Sequence, residues 1–231
     1  MAILGVGGLG GPAARCLAAA GVPLALFDGD RVEVHNLPRQ TLFRDADVGA
    51  PKASRAAARL RDLHPGADIR ARDERIDAGN LDLLEELPIW IDATDRLASK
   101  LFFSDAAVAR RRMLIHGGAV RLGGQVLGIV PGEGPCLRCL VDTGSEGETC
   151  QSAGILGPVV GLLGAEMARM ALLALEGQSI AGRFVAYDAW LPSLRSGVFS
   201  RRDGCETCGP LAGKRREAAP RAAPIVPEMR G

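Results

Sequence analysis

The sequence predicts an α/β fold, a Rossmann-like, mostly parallel sheet with helices on both faces. Three observations predict it. Short apolar runs alternate with helix-period stretches over the first 130 residues, the pattern of successive strand and helix units. A glycine-rich turn, GVGGLG, lies between the first apolar run and an Ala-rich stretch. Hydrophobic residues make up 47% of the 231-residue chain but aromatics only 4%. The core must therefore be built from Ala, Leu, Val and Ile, which suits buried parallel strands under Ala-rich helices.

Strands are expected at residues 2–5, 23–28, 89–92 and 113–116, and helices at 11–20, 52–63, 80–87 and 97–110. The run RLGGQVLGIV, within residues 120–130, reads as two short strands bent around Gly123 and Gly124, an antiparallel extension of the sheet. The polar stretch DTGSEGET, residues 142–149, is expected to be an exposed, mobile loop. Residues 154–177 are apolar, but Glu166 and Arg169 interrupt them, so they read as a buried helix and not a membrane span. The amino terminus has no basic leader, and its glycines and Arg15 break up the apolar run, which argues against a signal peptide. One domain over residues 1–210 followed by a disordered tail over 211–231 is the expected organisation. The formal net charge of +1 carries no footprint for nucleic acid, and no membrane partner is expected.

Gly5, Gly7 and Gly10 form G-x-G-x-x-G, with Gly8 inside it. Such a turn lets phosphate approach backbone N–H groups at a helix start, where the helix dipole also favours negative charge. Asp28 follows the third glycine by about 20 residues, at the end of the second strand, where a carboxylate can accept from ribose hydroxyls. Together these imply a nucleotide with a ribose, and the glycines alone leave ATP and NAD both open. The next segment narrows the choice. Asn36, Arg39, Gln40 and Lys52 are more than a dinucleotide diphosphate needs, whereas a triphosphate attacked at its α-phosphorus needs cations. Arg39 offers a planar fork and Lys52 a point charge near a helix start, suited to charge building on α-phosphate and pyrophosphate. Asp95, at the carboxyl end of the IWIDATD strand, is placed to hold Mg²⁺.

Four of the six cysteines sit in two Cys-x-x-Cys pairs, Cys136 with Cys139 and Cys205 with Cys208. Four thiolates suit tetrahedral Zn²⁺ with no open position, a structural zinc knuckle in a reducing, cytoplasmic setting. Redox-active pairs are the alternative. Cys150 precedes the apolar helix, where a thiolate is favoured, and is a candidate nucleophile; its other reading is a small residue in a helix-starting turn. Cys16 reads as core, His64 as a surface residue, and His35 and His116 as structural histidines without a visible partner.

In order along the chain, these motifs are GVGGLG, Asp28 with Asp30, NLPRQ, Pro51 with Lys52, DATD, CLRC, TCQSAGILGPVVGLLG and CETC. That series resembles the ThiF/MoeB/HesA family of ubiquitin-activating-like adenylyltransferases from Ile3 to about Gly209. The resemblance implies that Gly7, Asp28, Asn36, Arg39, Lys52 and Asp95 serve an ATP site, and that Cys150 occupies a position where some members link covalently to their carrier. It further implies a ubiquitin-like sulfur-carrier protein as partner, adenylated at its C-terminal glycine carboxylate with release of pyrophosphate, and a homodimer. Two departures stand out. Family members usually carry Asn where this chain has Arg96, and usually begin with a helical segment bearing an R-Y-x-R-Q-like motif, whereas this sequence starts almost at the first strand. The alternatives are a non-catalytic binding module of the same fold and an NAD-dependent oxidoreductase.

Overall fold

The structure, a computed structural model, describes residues 1–141 and 154–213. An eight-stranded sheet organises them in the spatial order β3-β2-β1-β4-β5-β6-β7-β8. β1 (Ala2–Leu4), β2 (Leu24–Phe27), β3 (Ile69–Arg72), β4 (Ile89–Asp92) and β5 (Met113–Val120) pair in parallel. β6 (Gly123–Ile129), β7 (Arg183–Asp188) and β8 (Ser193–Val198) continue it antiparallel.

Side chains alternate across each strand, and each face builds its own core. Ile3, Leu26 and Ile91 pack under α1 (Gly10–Ala19), α2 (Lys52–Leu63) and α4 (Gly157–Leu175). Leu4, Phe27 and Trp90 point the other way, toward α3 (Leu97–Ala109) and a single 3-10 turn at Leu81–Leu84. Because β1 pairs with both β2 and β4, the chain reverses its direction of travel across the sheet there. That places a crevice at the carboxyl ends of these strands, where open α/β sheets bind ligands.

Four expectations change. β3 is a strand that the sequence does not announce: it forms the sheet edge with Arg70 and Arg72 exposed, so only Ile69 marks it as buried. The helix expected at 80–87 is only the turn at Leu81–Leu84, since Pro88 lies four residues on, just before β4, and turns the preceding chain away from helix. The bend expected at Gly123 and Gly124 lies instead at Arg121 and Leu122, with Arg121 at φ +54°, so β5 runs to Val120 and β6 is one strand. Gly124 is there for packing, as a Cβ would lie 2.4 Å from the Gly118 carbonyl oxygen and 2.5 Å from Leu163 Cδ1. β7 and β8 also escape periodicity, because β8 is almost wholly exposed. The expected loop at 142–149 and the tail from 214 onward lie outside the described residues.

α4 is long and apolar enough to cross a membrane, yet half of its most apolar window is buried within the fold, as expected for a core helix. Val159, Leu163, Met167 and Met170 pack against α1 and the sheet. The approach of α4 to α1 depends on Gly164, whose Cβ would lie 2.5 Å from the Leu9 carbonyl oxygen. Gly161, one turn earlier, has nothing within 4 Å of its Cβ position. Gly164→Ala is therefore expected to destabilise the chain by about 1–3 kcal/mol through overpacking. Gly161→Ala is expected to stabilise it by about 0.5–1 kcal/mol through helix propensity. Urea denaturation of the two variants beside the parent checks both signs.

Candidate functional site

β1 ends at Leu4 and Gly5 turns the chain at φ +87°, a conformation that side chains resist. The loop is then drawn tight: a Cβ at Gly10 would lie 1.9 Å from the Gly5 carbonyl oxygen. α1 starts with no side-chain cap; the Gly11 N–H donates to the Gly7 carbonyl at 2.9 Å, the Ala13 N–H to the Leu9 carbonyl at 3.2 Å, and Pro12 has none. What the helix start offers an anion is therefore its dipole and the backbone of the glycine loop before it. Asp28, nearly buried at the end of β2, accepts from the Val6 N–H at 2.8 Å and from the Asp30 N–H at 2.9 Å. Burial raises its carboxyl above the usual range, against the pull of those two N–H groups.

A cavity of about 200 Å³ opens over this loop. Its wall gathers Gly5, Gly7, Gly8, Asp28, Asp30, Asn36, Arg39, Gln40, Lys52, Asp95 and Arg96. Gly10 lies behind the loop and does not reach the wall, and Cys150 lies outside the described residues. Asn36 closes the turn Val34–Asn36, its Oδ1 accepting the Glu33 N–H at 3.3 Å. Arg39 is half-buried and donates to the His35 carbonyl at 2.8 Å. Gln40 is buried with Oε1 unpartnered. His35 is exposed beside Glu33, away from the wall.

Lys52 opens α2 directly after Pro51, and its buried side chain ends with Nζ 3.4 Å from Asp30 Oδ2. Arg75 donates to the other Asp30 oxygen and also lines the cavity. Burial would raise the Asp30 carboxyl, but the Arg75 guanidinium and the Lys52 ammonium bring it below its usual value. Arg75 escapes sequence reasoning, because it belongs to no motif and follows the unannounced strand β3.

Behind Asp95 lies a buried polar cluster that also escapes motif reading. Asp92, fully buried, accepts from the Thr94 hydroxyl at 2.6 Å and meets His116 Nδ1 at 3.0 Å, with Lys100 Nζ at 3.8 Å. Burial would raise its carboxyl, but Lys100 and His116 bring it down to about 2. Lys100 also donates to the Gly117 carbonyl. Lys100, His116 and Asp95 line a second cavity on the α3 side of the β5–β6 hairpin. The structural reading of His116 thus acquires its missing partner, Asp92.

The four paired cysteines converge beneath α3, and all four sulfurs lie within 4.8 Å of one another. Cys136 and Cys205 approach to 3.7 Å, Cys139 and Cys208 to 3.5 Å, and Cys136 and Cys139 to 4.0 Å. A bidentate Arg138–Asp105 pair and the Ser104 hydroxyl accepting the Leu137 N–H fasten the first knuckle to α3. Cys16 is exposed, against the expectation of a core position, because it sits on the outward face of α1.

The family model of the ThiF family matches residues 1–207. The chain is 38% identical over 212 residues to the sulfur carrier protein ThiS adenylyltransferase of Escherichia coli, covering 90% of this chain and 84% of that one. It is 36% identical over 214 residues to the SAMP-activating enzyme E1 of Haloferax volcanii, covering 90% and 79%. The E. coli molybdopterin-synthase adenylyltransferase is 37% identical over 213 residues, covering 90% and 86%. Among solved structures, E. coli MccB with ATP superposes at a TM-score of 0.77 and 21% identity, covering 90% of this chain and 65% of that one, a likeness of fold. By the family match along most of its length and by these relatives, the chain belongs to the ThiF family.

Proposed function

We propose that this protein uses ATP to adenylate the C-terminal glycine carboxylate of a ubiquitin-like sulfur carrier, releasing pyrophosphate, in the biosynthesis of a sulfur-containing cofactor. The observation that carries the reading is that Arg39 and Lys52 share one cavity wall with the glycine loop and Asp28. In the reaction, a carboxylate oxygen of the carrier bonds to the α-phosphorus while the bond from that phosphorus to the bridging oxygen breaks. The electron pair leaves with pyrophosphate. Arg39 and Lys52 line the cavity where that charge would accumulate, and the dipole at the start of α1 adds to their effect.

The residues present fit the nucleotide. Asp28, with its two backbone bonds made, keeps lone pairs for ribose hydroxyls, and the orphaned Gln40 Oε1 is an acceptor without a protein donor. Asp95 offers one carboxylate at the meeting of the two cavities, enough for a Mg²⁺ otherwise held by phosphates and water. Such an ion would neutralise phosphate charge. Arg75, through Asp30, sets the charge around Lys52.

The relatives named sulfur carrier protein ThiS adenylyltransferase and molybdopterin-synthase adenylyltransferase support the same chemistry and a carrier of the ThiS kind. An oxidoreductase would leave the cations on the cavity wall without a task, and a module without catalysis would leave the whole set so. Residence in the cytoplasm, a homodimer and a thiol role for Cys150 complete the proposal, the last two supported by family resemblance.

The four sulfurs suit zinc: a tetrahedral ion with Zn–S of about 2.3 Å spaces its ligands about 3.8 Å apart, and three of the six sulfur pairs stand at 3.5, 3.7 and 4.0 Å, with all six within 4.8 Å. No ligand position is left for substrate, so the ion would be structural, joining α3 to the segment after β8.

Carrier-dependent ATP–pyrophosphate exchange, with purified E. coli ThiS as carrier, tests the function. Lys52→Ala is expected to slow exchange roughly 100-fold or more; a variant as fast as the parent would remove Lys52 from the reaction. Elemental analysis is expected to find one zinc per chain, lost on Cys205→Ala together with a lower thermal midpoint. A metal-free parent of unchanged stability would reverse the zinc assignment.

A further inference from the structure

The cluster of Asp92, Lys100 and His116 has no part in the nucleotide chemistry above, yet its Lys100 and His116 line the second cavity, about 420 Å³ in volume, with Asp92 buried behind them. His116, Gly118 and Val120 of β5 alternate onto the same side of the sheet as Gly123 and Gln125 of β6. α3 contributes Leu97 and Lys100, and the first cysteine knuckle contributes the apolar Leu137 and Val141. Asp95 belongs to both cavities, so a chain lying in the second ends at the nucleotide site.

Hydrogen bonding settles which ring nitrogen of His116 carries the proton. Asp92 is ionised, held so by Lys100 and by the Thr94 hydroxyl and N–H, and an ionised carboxylate only accepts. Its bond to His116 Nδ1 therefore needs a proton on that nitrogen. Burial and the neighbouring Lys100 keep the ring neutral, because the Asp92 charge is already balanced. A neutral ring with Nδ1–H has a bare lone pair at Nε2. Gly118 leaves that atom uncovered: a Cβ there would lie 3.6 Å from His116 Nε2, in ordinary contact.

We propose that His116 is a positioning residue for the carrier's extended tail, its Nε2 accepting a backbone amide N–H from the last residues of that tail. The inference rests on the adenylation reading and deepens it. A base is not needed, as the reacting carboxylate is already ionised near neutral pH. An acceptor is useful for a different reason. A lone pair attracts an amide N–H and repels a carboxylate, so it holds the tail one peptide back from the reacting oxygen and leaves that oxygen toward the α-phosphorus.

The test uses ATP–pyrophosphate exchange with E. coli ThiS and with semisynthetic ThiS N-methylated at each of its last two peptide bonds in turn. His116→Asn keeps a donor for Asp92 but removes the acceptor. It is expected to keep the parental thermal midpoint and ATP KM, and to raise the carrier KM about three- to tenfold with kcat little changed. His116→Gln places an amide oxygen near the former Nε2 and is expected to restore most of that loss. Gly118→Ala leaves the His116–Asp92 pair intact, covers Nε2 with a methyl group and is expected to raise the carrier KM as well. One N-methylated carrier should bind the parent worse, with that penalty gone in His116→Asn.

A carrier KM in His116→Asn and Gly118→Ala equal to the parent's, or an N-methyl penalty unchanged by His116→Asn, overturns the role of His116 while leaving adenylation standing. If His116→Asn does not fold, Gly118→Ala and the N-methylated carriers decide. Absence of exchange by the unaltered protein overturns the adenylation reading and this inference with it.

Discussion

Asp28 ties the end of β2 to the glycine loop at the end of β1, and the geometry of the site descends from that tie. Its two oxygens take up the Val6 and Asp30 N–H groups, which fixes the loop on one side and the next turn on the other. The Asp30 carbonyl then accepts the Lys52 N–H at 2.9 Å, which anchors the start of α2. Asp30's carboxylate holds Lys52 and Arg75. A side chain lost at Asp28 would leave buried N–H groups unpaired, each at a cost of about 1–3 kcal/mol. The same loss would release the cations, so the stability of this corner and its chemistry share one cause.

The two faces of the sheet have different work. On one, the long α4 lies close to β5 and β6 because Gly117 and Gly124 leave no Cβ to meet Met167 and Leu163, and close to α1 because Gly164 leaves none to meet the Leu9 carbonyl. That side gives the glycine loop a rigid backing, with Val160 of α4 against Gly8. On the other, α3 and the cysteine cluster stand over the β5–β6 hairpin and leave a trough between them. Buried charge is tolerated at its wall since Asp92, Lys100 and His116 satisfy one another. The carboxyl ends of β1 and β4 join the two regions, with Asp95 on their border.

How much of this was legible in the amino-acid order varies with the range of the interactions involved. The glycine loop, Asp28, NLPRQ and Lys52 could be read together, because each part is short, local and constrained by backbone geometry. The buried strands β1, β2 and β4 could be read as well, being continuous apolar runs. β3 and β8 could not, because edge strands expose most of their side chains and lose the alternation that marks burial. The hairpin turn was misplaced onto Gly123 and Gly124 for a related reason. Glycine signals either a turn or a close approach, and the choice here rested on Leu163 of α4, far away in sequence, and on the Gly118 carbonyl across the hairpin.

The sequence by itself determined the class of fold, the glycine loop after β1, the two cysteine pairs and the candidate cations Arg39 and Lys52, since each is written in spacing along a short segment. Only the tertiary structure decided that Arg75 joins Asp30, that His116 meets Asp92 and Lys100, and that four sulfurs converge. These are meetings of groups on separate strands and helices. The register of the sheet and the packing of α3 set their distances, and neither quantity is carried by any local stretch of chain.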